Sequence, residues 1–120
     1  MSNRTVRLAG AALGLLASAG ALGVVAVNDA IGAGNAAAGR DKAKACRTCH
    51  GVDGIAKIPN AATIAGETEI YLTKQLKAFR AGERKDPQMS IIAEKLSDQD
   101  IADLAAWFSS LKITVEVPAE

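Results

Sequence analysis

The residues with the clearest chemical potential lie together in one pentapeptide, Cys46-Arg47-Thr48-Cys49-His50, which holds both cysteines and the single histidine of the 120 residues. The C-x-x-C-H spacing is that of covalent attachment of a c-type haem. On helical backbone the two thiols share one turn, so they can form thioethers with the two vinyl groups on one edge of a porphyrin. The adjacent His50 can then turn onto the iron. The pentapeptide therefore predicts one covalent haem c, bound by Cys46 and Cys49.

Two other kinds of site share part of this pattern. A thioredoxin-like C-x-x-C opens a helix after a strand, but no β-rich run precedes Cys46. A structural zinc site normally takes four Cys or His ligands, and this chain offers three, all within the pentapeptide. A redox dithiol and a zinc site are therefore weaker interpretations than a haem site.

Met89 is the candidate for the second axial position of the iron. No second histidine exists, and Met89 is the only methionine besides the initiator. A lone methionine is more often core filler than a ligand, so this prediction depends on the haem motif. Coordination by His50 and Met89 would leave no open position on the iron, and a thioether ligand raises the reduction potential. Such a site predicts a one-electron carrier and not an enzyme.

The N-terminal segment has the features of an export leader. Residues 8–27 are apolar and uncharged, and Arg4 and Arg7 precede them. This run is longer than the apolar part of most secretory signals and about long enough to span a bilayer. Small residues follow, which favours cleavage after Ala33. Residues 1–33 are thus a signal peptide or an N-terminal membrane anchor, and both alternatives place the rest of the chain outside the cytoplasm.

The remaining residues, 34–120, form one small domain. In this size range a hydrophobic core alone gives limited stability, and a buried haem would supply an apolar centre. The whole chain has 14 Lys and Arg against 13 Asp and Glu, and without residues 1–33 the two signs balance. This balance argues against nucleic acid as a partner. A membrane would be contacted only through residues 8–27, if the leader is retained.

Periodicity and capping residues predict a helical domain around a long loop. The predicted elements are a helix from Asn35 to Ala45, a loop over 51–66, a helix from Glu67 or Thr68 to Ala81, a short helix over 90–96 and a last helix from Ser97 to about Leu111. In the loop, Ile55, Ile58 and Ile64 are expected to contact the haem. Gly39 and Ala43 lie four residues apart and either form a small-residue surface or permit a close helix crossing. Trp107 either reaches the haem or covers the core.

These elements together resemble the small bacterial class I c-type cytochromes, both monohaem proteins and one domain of the dihaem periplasmic carriers. The resemblance covers most of residues 36–111. It is carried by Cys46-Arg47-Thr48-Cys49-His50-Gly51, Ile64-Ala65-Gly66-Glu67, Phe79-Arg80-Ala81-Gly82, Met89 and Ala105-Ala106-Trp107-Phe108. It implies an all-α fold of four or five helices around one covalent haem, in which the first and last helices cross.

The resemblance also implies a site and a role. In this family His50 would be the proximal ligand and Met89 the distal one. The implied function is a periplasmic electron carrier, soluble or tethered, between a periplasmic dehydrogenase and a respiratory complex or terminal oxidase. The alternatives are a haem subunit of a dehydrogenase or oxidase and, from another class, a gas or peroxide site formed when Met89 dissociates.

One position departs from the family pattern. The family usually has a proline two residues before the Leu/Ile-Ala-Gly step, and the carbonyl of that proline accepts the proton of the proximal imidazole. Here that position is Ala62, while Pro59 lies three residues earlier. Because a carbonyl needs no proline ring, the hydrogen bond can survive, although Ala62 fixes the backbone less firmly.

Overall fold

The fold of residues 33–119, the part of the chain that the computed structural model describes, is entirely helical. Its elements are α1 (Ala36–Lys42), a 3₁₀ turn (Ala43–Ala45), α2 (Arg47–His50), α3 (Glu69–Arg80), α4 (Met89–Glu94) and α5 (Asp98–Ser110). The all-α prediction is confirmed. The predicted leader lies, except for Ala33, outside the described residues. None of the described helices is long and apolar enough to cross a membrane.

The first helix begins as predicted but changes character before the pentapeptide. The side chain of Asn35 accepts the N–H of Ala38 at 3.0 Å and caps α1. From Ala43 the backbone tightens to i→i+3 hydrogen bonds, and the N–H of Cys46 donates to the carbonyl of Ala43 at 2.9 Å. Short 3₁₀ turns of this kind commonly finish an α-helix. The predicted helix from Asn35 to Ala45 is therefore an α-helix that ends in a 3₁₀ turn, and α2 follows it as a separate short helix.

The long third helix has the predicted limits within two residues. The Thr68 hydroxyl accepts the N–H of Tyr71 at 3.2 Å, and Gly82 follows the C-terminal end with φ of +74°. A glycine in this left-handed conformation is a common helix terminator. Leu72 and Phe79 are buried, whereas Ile70 is 84% exposed. Leu72 is therefore the first core position of α3.

The last two helices position Met89 and the C-terminal half of the core. Met89 is the first residue of α4, one residue earlier than predicted. Ser97 and Asp100 form a reciprocal capping box at the start of α5, which begins within one residue of the predicted start. The apolar stripe of α5 is buried: Ile101, Leu104, Ala105 and Phe108 are each at most 3% exposed.

Helices α1 and α5 cross at close range at Gly39. A Cβ atom on Gly39 would lie 2.0 Å from the carbonyl oxygen of Asp103 and 2.8 Å from Cβ of Trp107. Only glycine permits this approach of the two backbones. The prediction of a close crossing at Gly39 is confirmed.

An ionic cluster fastens the same crossing. The carboxylate of Asp103 is buried on α5 and accepts the N–H of Asn35 at 2.8 Å. It also accepts the ammonium group of Lys42 at 2.5 Å and the amide of Gln99 at 2.9 Å. Lys42 bridges onward to Asp100 at 2.7 Å. Both ends of α1 are thus bound to α5 by charge-assisted hydrogen bonds.

The loop over residues 51–66 has no helix or strand, as predicted, and is folded by its own backbone. The carbonyl of Gly54 accepts the N–H groups of Ile64 and Ala65 at 2.8 and 3.1 Å. The loop is joined to α5 where the indole N–H of Trp107 donates to the carbonyl of Val52 at 3.0 Å. These contacts hold the segment after His50 against the last helix.

Candidate functional site

A cavity of about 320 Å³ opens between the 51–66 loop and helices α3, α4 and α5. Its volume falls within the range of about 300–1,000 Å³ typical of small-molecule and cofactor sites. Side chains from every helix except α1 line it, together with Ala45 of the 3₁₀ turn. The structure brings the four residues singled out in the sequence to this one cavity: Cys46, Cys49, His50 and Met89.

The pentapeptide forms a single helical turn at the cavity wall. The carbonyl of Cys46 accepts the N–H of His50 at 3.0 Å and that of Cys49 at 3.3 Å. Burial, with a smaller contribution from the Cys49 thiol, raises the pKa of Cys46 above its ordinary value. Redox-active C-x-x-C motifs instead have a thiol of lowered pKa. The environment of Cys46 therefore does not favour a redox dithiol.

The orientation of His50 is fixed from outside the pentapeptide. Its Nδ1 atom lies 2.7 Å from the carbonyl oxygen of Ala62. Because a carbonyl can only accept, Nδ1 carries the proton and Nε2 keeps the lone pair that binds metals. Metal-binding histidines are commonly oriented by such a hydrogen bond on the other ring nitrogen. The bond expected at Ala62 is thus present without the proline.

The 51–66 loop contributes to the cavity with its second half only. Ile64 lines the cavity, as do the four residues before it, 60–63. Ile55 and Ile58 do not, and Ile55 is 41% exposed. The carboxylate of Asp53 accepts the N–H of Ile55 at 3.2 Å and forms a tight turn there. The prediction that Ile55 and Ile58 contact the haem is wrong, because this turn keeps Ile55 at the surface and neither side chain reaches the cavity.

The last helix, α5, also lines the cavity, although no motif in its sequence indicates a cofactor site. Leu104, Ala105 and Phe108 of α5 serve the core and also line the cavity. Their helical spacing predicted burial, but periodicity does not distinguish a core from a cofactor wall. Trp107 is not among the lining residues, so it covers the core. Tyr71 and Gln75 lie four residues apart on α3 and both line the cavity.

Two cations precede the methionine at the cavity wall. Arg84 and Lys85 both line the cavity. The guanidinium of Arg84 donates to the side-chain oxygen of Gln75 at 2.5 Å and lies 4.5 Å from the centroid of the Phe79 ring. Arg84 is therefore held on α3 by a hydrogen bond and a cation–π contact.

Similarity to a known protein family indicates which group this cavity binds. The family model described as cytochrome c matches residues 36–112. The chain belongs to the cytochrome c family. This cytochrome c carries one covalently bound haem c, and the fold of four or five helices around the haem is that of class I.

The most similar relatives include proteins of two lengths. The chain is 47% identical over 83 residues to cytochrome c4 of Pseudomonas aeruginosa, covering 69% of this chain and 41% of that protein. It is 46% identical over 81 residues to cytochrome c-554(548) of Halomonas halodenitrificans, covering 65% of this chain and 98% of that protein. The chain thus spans less than half of the c4 protein but matches nearly all of c-554(548).

A solved structure supports the same fold. The crystal structure of reduced recombinant cytochrome c4 from Pseudomonas stutzeri superposes with a TM-score of 0.64 at 44% identity. The match covers 69% of this chain and 48% of that chain. The predicted resemblance to class I c-type cytochromes, including one domain of the dihaem carriers, is confirmed.

The residues present at the cavity fit a haem. Two thiols share one turn for the vinyl groups, an imidazole presents a free Nε2, and a thioether lies in the same cavity. Most of the remaining wall is apolar, as a porphyrin face requires. Arg84 and Lys85 line the same cavity and would supply positive charge near the carboxylates of a bound haem.

Proposed function

We propose that this cytochrome c carries single electrons between redox proteins, with His50 and Met89 as the two axial ligands of its iron. Haem c supplies the exchange of one electron between ferric and ferrous iron. The observation that carries the proposal is the arrangement of the cavity: an imidazole locked by Ala62 and the single described methionine line the same space. With both residues bound to the iron, no position would be left for a substrate, which favours a carrier over an enzyme.

Each site residue has its own task in this proposal. Cys46 and Cys49 form the thioether bonds that keep the group attached. His50 would bind the iron through Nε2, and the hydrogen bond from Nδ1 to Ala62 fixes the tautomer and the orientation of the imidazole. Met89 supplies a neutral sulfur ligand, which favours the ferrous state and a relatively high potential. The protein thus sets the potential through its ligands and the burial of the site.

The location and the partners belong to the same proposal. Residues 1–33 act as a signal peptide or an anchor, residues 34–120 form the haem domain, and the protein works in the periplasm. Its partners are redox proteins, such as a periplasmic dehydrogenase and a respiratory complex or terminal oxidase. The intact mass of denatured native protein tests two parts at once. A chain starting near Gly34 with one haem added indicates a free carrier, and an intact leader indicates a tether. A chain at apoprotein mass would contradict covalent attachment.

Substitution of Met89 tests the ligands. The ferric protein should show a weak band near the red edge of its spectrum that reports an iron–sulfur bond, and Met89→Ala should abolish it and lower the potential. Ile92→Ala is the matched control, because Ile92 lines the same cavity on the same helix but cannot bind the iron. A Met89→Ala protein with an unchanged band and potential would show that Met89 is not a ligand.

Carbon monoxide separates a carrier from a ligand-binding haem. Carbon monoxide needs an open position on ferrous iron, so the intact reduced protein should bind it slowly or not at all at neutral pH. Met89→Ala opens that position and sets the upper limit of the rate. Rapid, stoichiometric binding by undamaged wild-type protein would instead favour the gas or peroxide site.

A further inference from the structure

We propose that Asp86 is a positioning residue that holds Met89 in the haem cavity. This inference rests on the proposed ligation of the iron by Met89. Asp86 lines the same cavity, and its carboxylate accepts hydrogen bonds from main-chain N–H groups. It binds the backbone of the residue that carries the sulfur.

The carboxylate of Asp86 collects the backbone donors at the start of α4. Its Oδ1 atom accepts the N–H of Met89 at 2.8 Å and the N–H of Gln88 at 2.9 Å. The main chain of Asp86 closes the same turn with Ser90: the N–H of Asp86 donates to the Ser90 hydroxyl at 3.1 Å, and the Asp86 carbonyl accepts the N–H of Ser90 at 3.0 Å. Four hydrogen bonds therefore fix the backbone on both sides of Met89.

The segment before Asp86 connects this turn to the long helix α3. The N–H of Arg84 donates to the carbonyl of Ala78 at 3.0 Å. Its guanidinium contacts Gln75 and Phe79 on the same helix, as described above. Pro87 follows Asp86 and has a restricted φ. The chain from Arg84 to Met89 is thus bound to α3 at the Arg84 end. The hydrogen bond from the Met89 N–H to Asp86 then fixes the other end, which carries the sulfur.

Helix α4 needs such support because it is short. It has six residues, and the side chain of its N-cap residue, Gln88, makes no capping hydrogen bond. Isolated helices of this length are unstable in water. Loss of the Asp86 acceptor leaves two N–H groups unpaired at the start of α4. The population in which Met89 has left the iron should then increase, and that population limits the rate of carbon monoxide binding.

Three variants separate the hydrogen bonds from the charge of Asp86. Asp86→Ala removes both. Asp86→Asn removes the charge but keeps an oxygen that can accept from Met89 and Gln88. Asp41→Ala removes an exposed carboxylate on α1 that pairs only with Lys44 and lies away from the cavity. The measurements are the iron–sulfur band, the rate of carbon monoxide binding to the reduced protein, and global unfolding followed by circular dichroism.

We expect Asp86→Ala to bind carbon monoxide about tenfold faster than wild type, the factor given by about 1.4 kcal/mol. Asp86→Asn and Asp41→Ala should stay within about threefold of wild type, since about 0.6 kcal/mol or less is involved. Equal rates for Asp86→Ala and Asp41→Ala would overturn the proposal. So would an increase in the rate of carbon monoxide binding that only follows the loss of global stability.

If Asp86→Ala does not fold, Ser90→Ala is the second test, because it removes one hydrogen bond of the same turn. Ser90→Ala should bind carbon monoxide faster than wild type, though by less than about tenfold; a rate equal to wild type overturns the proposal.

Measurements on the wild type distinguish failure of the proposed Met89 ligation from failure of the proposed role of Asp86. A wild-type protein without the iron–sulfur band contradicts ligation by Met89, and the role of Asp86 falls with it. A wild-type protein with the band, combined with an Asp86→Ala protein of unchanged rate, leaves the ligation intact and contradicts only the positioning role.

Discussion

The carbonyl oxygen of Ala62 lies 2.7 Å from Nδ1 of His50, across twelve residues of chain. In the family pattern a proline supplies this carbonyl, and here an alanine supplies it. The hydrogen bond thus survives without the ring, because the surrounding loop places the backbone. Residues 61 and 64 are each held by a backbone hydrogen bond, from Ala61 to Ile58 at 3.2 Å and from Ile64 to Gly54 at 2.8 Å.

We predict that Ala62→Pro stabilises the protein. Among the described residues the N–H of Ala62 donates no hydrogen bond, so proline removes none. It reduces the entropy of the unfolded chain, and the free energy of unfolding should rise by about 0.4–1 kcal/mol. Denaturant unfolding of the ferric protein measures the change. The control is Ala61→Pro, which should destabilise because it removes the hydrogen bond to Ile58. A destabilised Ala62→Pro protein would mean that the local backbone angles do not suit proline.

We predict that Gly39→Ala destabilises the protein, although the same exchange inside an ordinary helix stabilises by about 1 kcal/mol. The new Cβ would lie 2.0 Å from the carbonyl oxygen of Asp103, so α1 and α5 must move apart. Overpacking of this kind costs about 1–3 kcal/mol. Thermal unfolding gives the sign directly. Ala37→Leu, on the exposed face of α1, adds a larger side chain as a control and should change stability by less than about 0.5 kcal/mol.

The ionic cluster at the same crossing predicts a dependence of stability on pH. Hydrogen bonds from Lys42 and from the backbone of Asn35 lower the pKa of Asp103 to about 2. In the unfolded chain the pKa is about 3.9. Between these values the unfolded chain binds more protons, so this contribution to stability is complete above about pH 5 and is lost as the pH falls towards 2.

Asp103→Asn tests this contribution. The variant keeps an acceptor for Asn35 but loses the charge that faces Lys42. Since hydrogen bonds to charged groups contribute about 1.5–3 kcal/mol, the free energy of unfolding at neutral pH should fall by about that amount. The free energy of unfolding of the variant should also rise less steeply between about pH 2 and 5 than that of the wild type. Asp41→Asn removes a well-exposed partner of Lys44 and should change stability by less than about 0.5 kcal/mol. An equal effect of the two substitutions would contradict the role of burial.

Local signals in the sequence predicted most of the fold. The caps at Asn35 and Ser97 and the stop at Gly82 each act over three or four residues, and each is where the sequence indicated. A turn at Asp53 keeps Ile55 at the surface, and lone apolar residues in a loop, such as Ile55 and Ile58, carry no periodicity that predicts their orientation. The sequence does not indicate the role of Asp86 either, because that role depends on the three-dimensional position of the Gln88 and Met89 N–H groups.

The hydrogen bond from Trp107 to Val52 gives the last prediction. Trp107 lies outside the cavity, yet its indole N–H donates at 3.0 Å to a carbonyl two residues after His50. The ring also lies 5.8 Å below the guanidinium of Arg40. Trp107→Phe keeps an aromatic ring for Arg40 and for the core but removes the donor. We expect the free energy of unfolding to fall by about 1 kcal/mol, the typical net value of one hydrogen bond.

The consequence should extend to the segment that carries the proximal ligand. Without the donor, the loop after His50 loses one of its links to α5, so amide hydrogen exchange near residues 51–54 should accelerate more than exchange in α3. Because Trp107 is the only tryptophan, unfolding is better followed by circular dichroism than by fluorescence. Arg40→Gln is the matched control, since it removes the cation above the ring and leaves the indole donor in place. Equal acceleration of amide exchange in the two variants would show that the cation–π contact between Arg40 and Trp107, and not the hydrogen bond to Val52, holds this segment against the last helix.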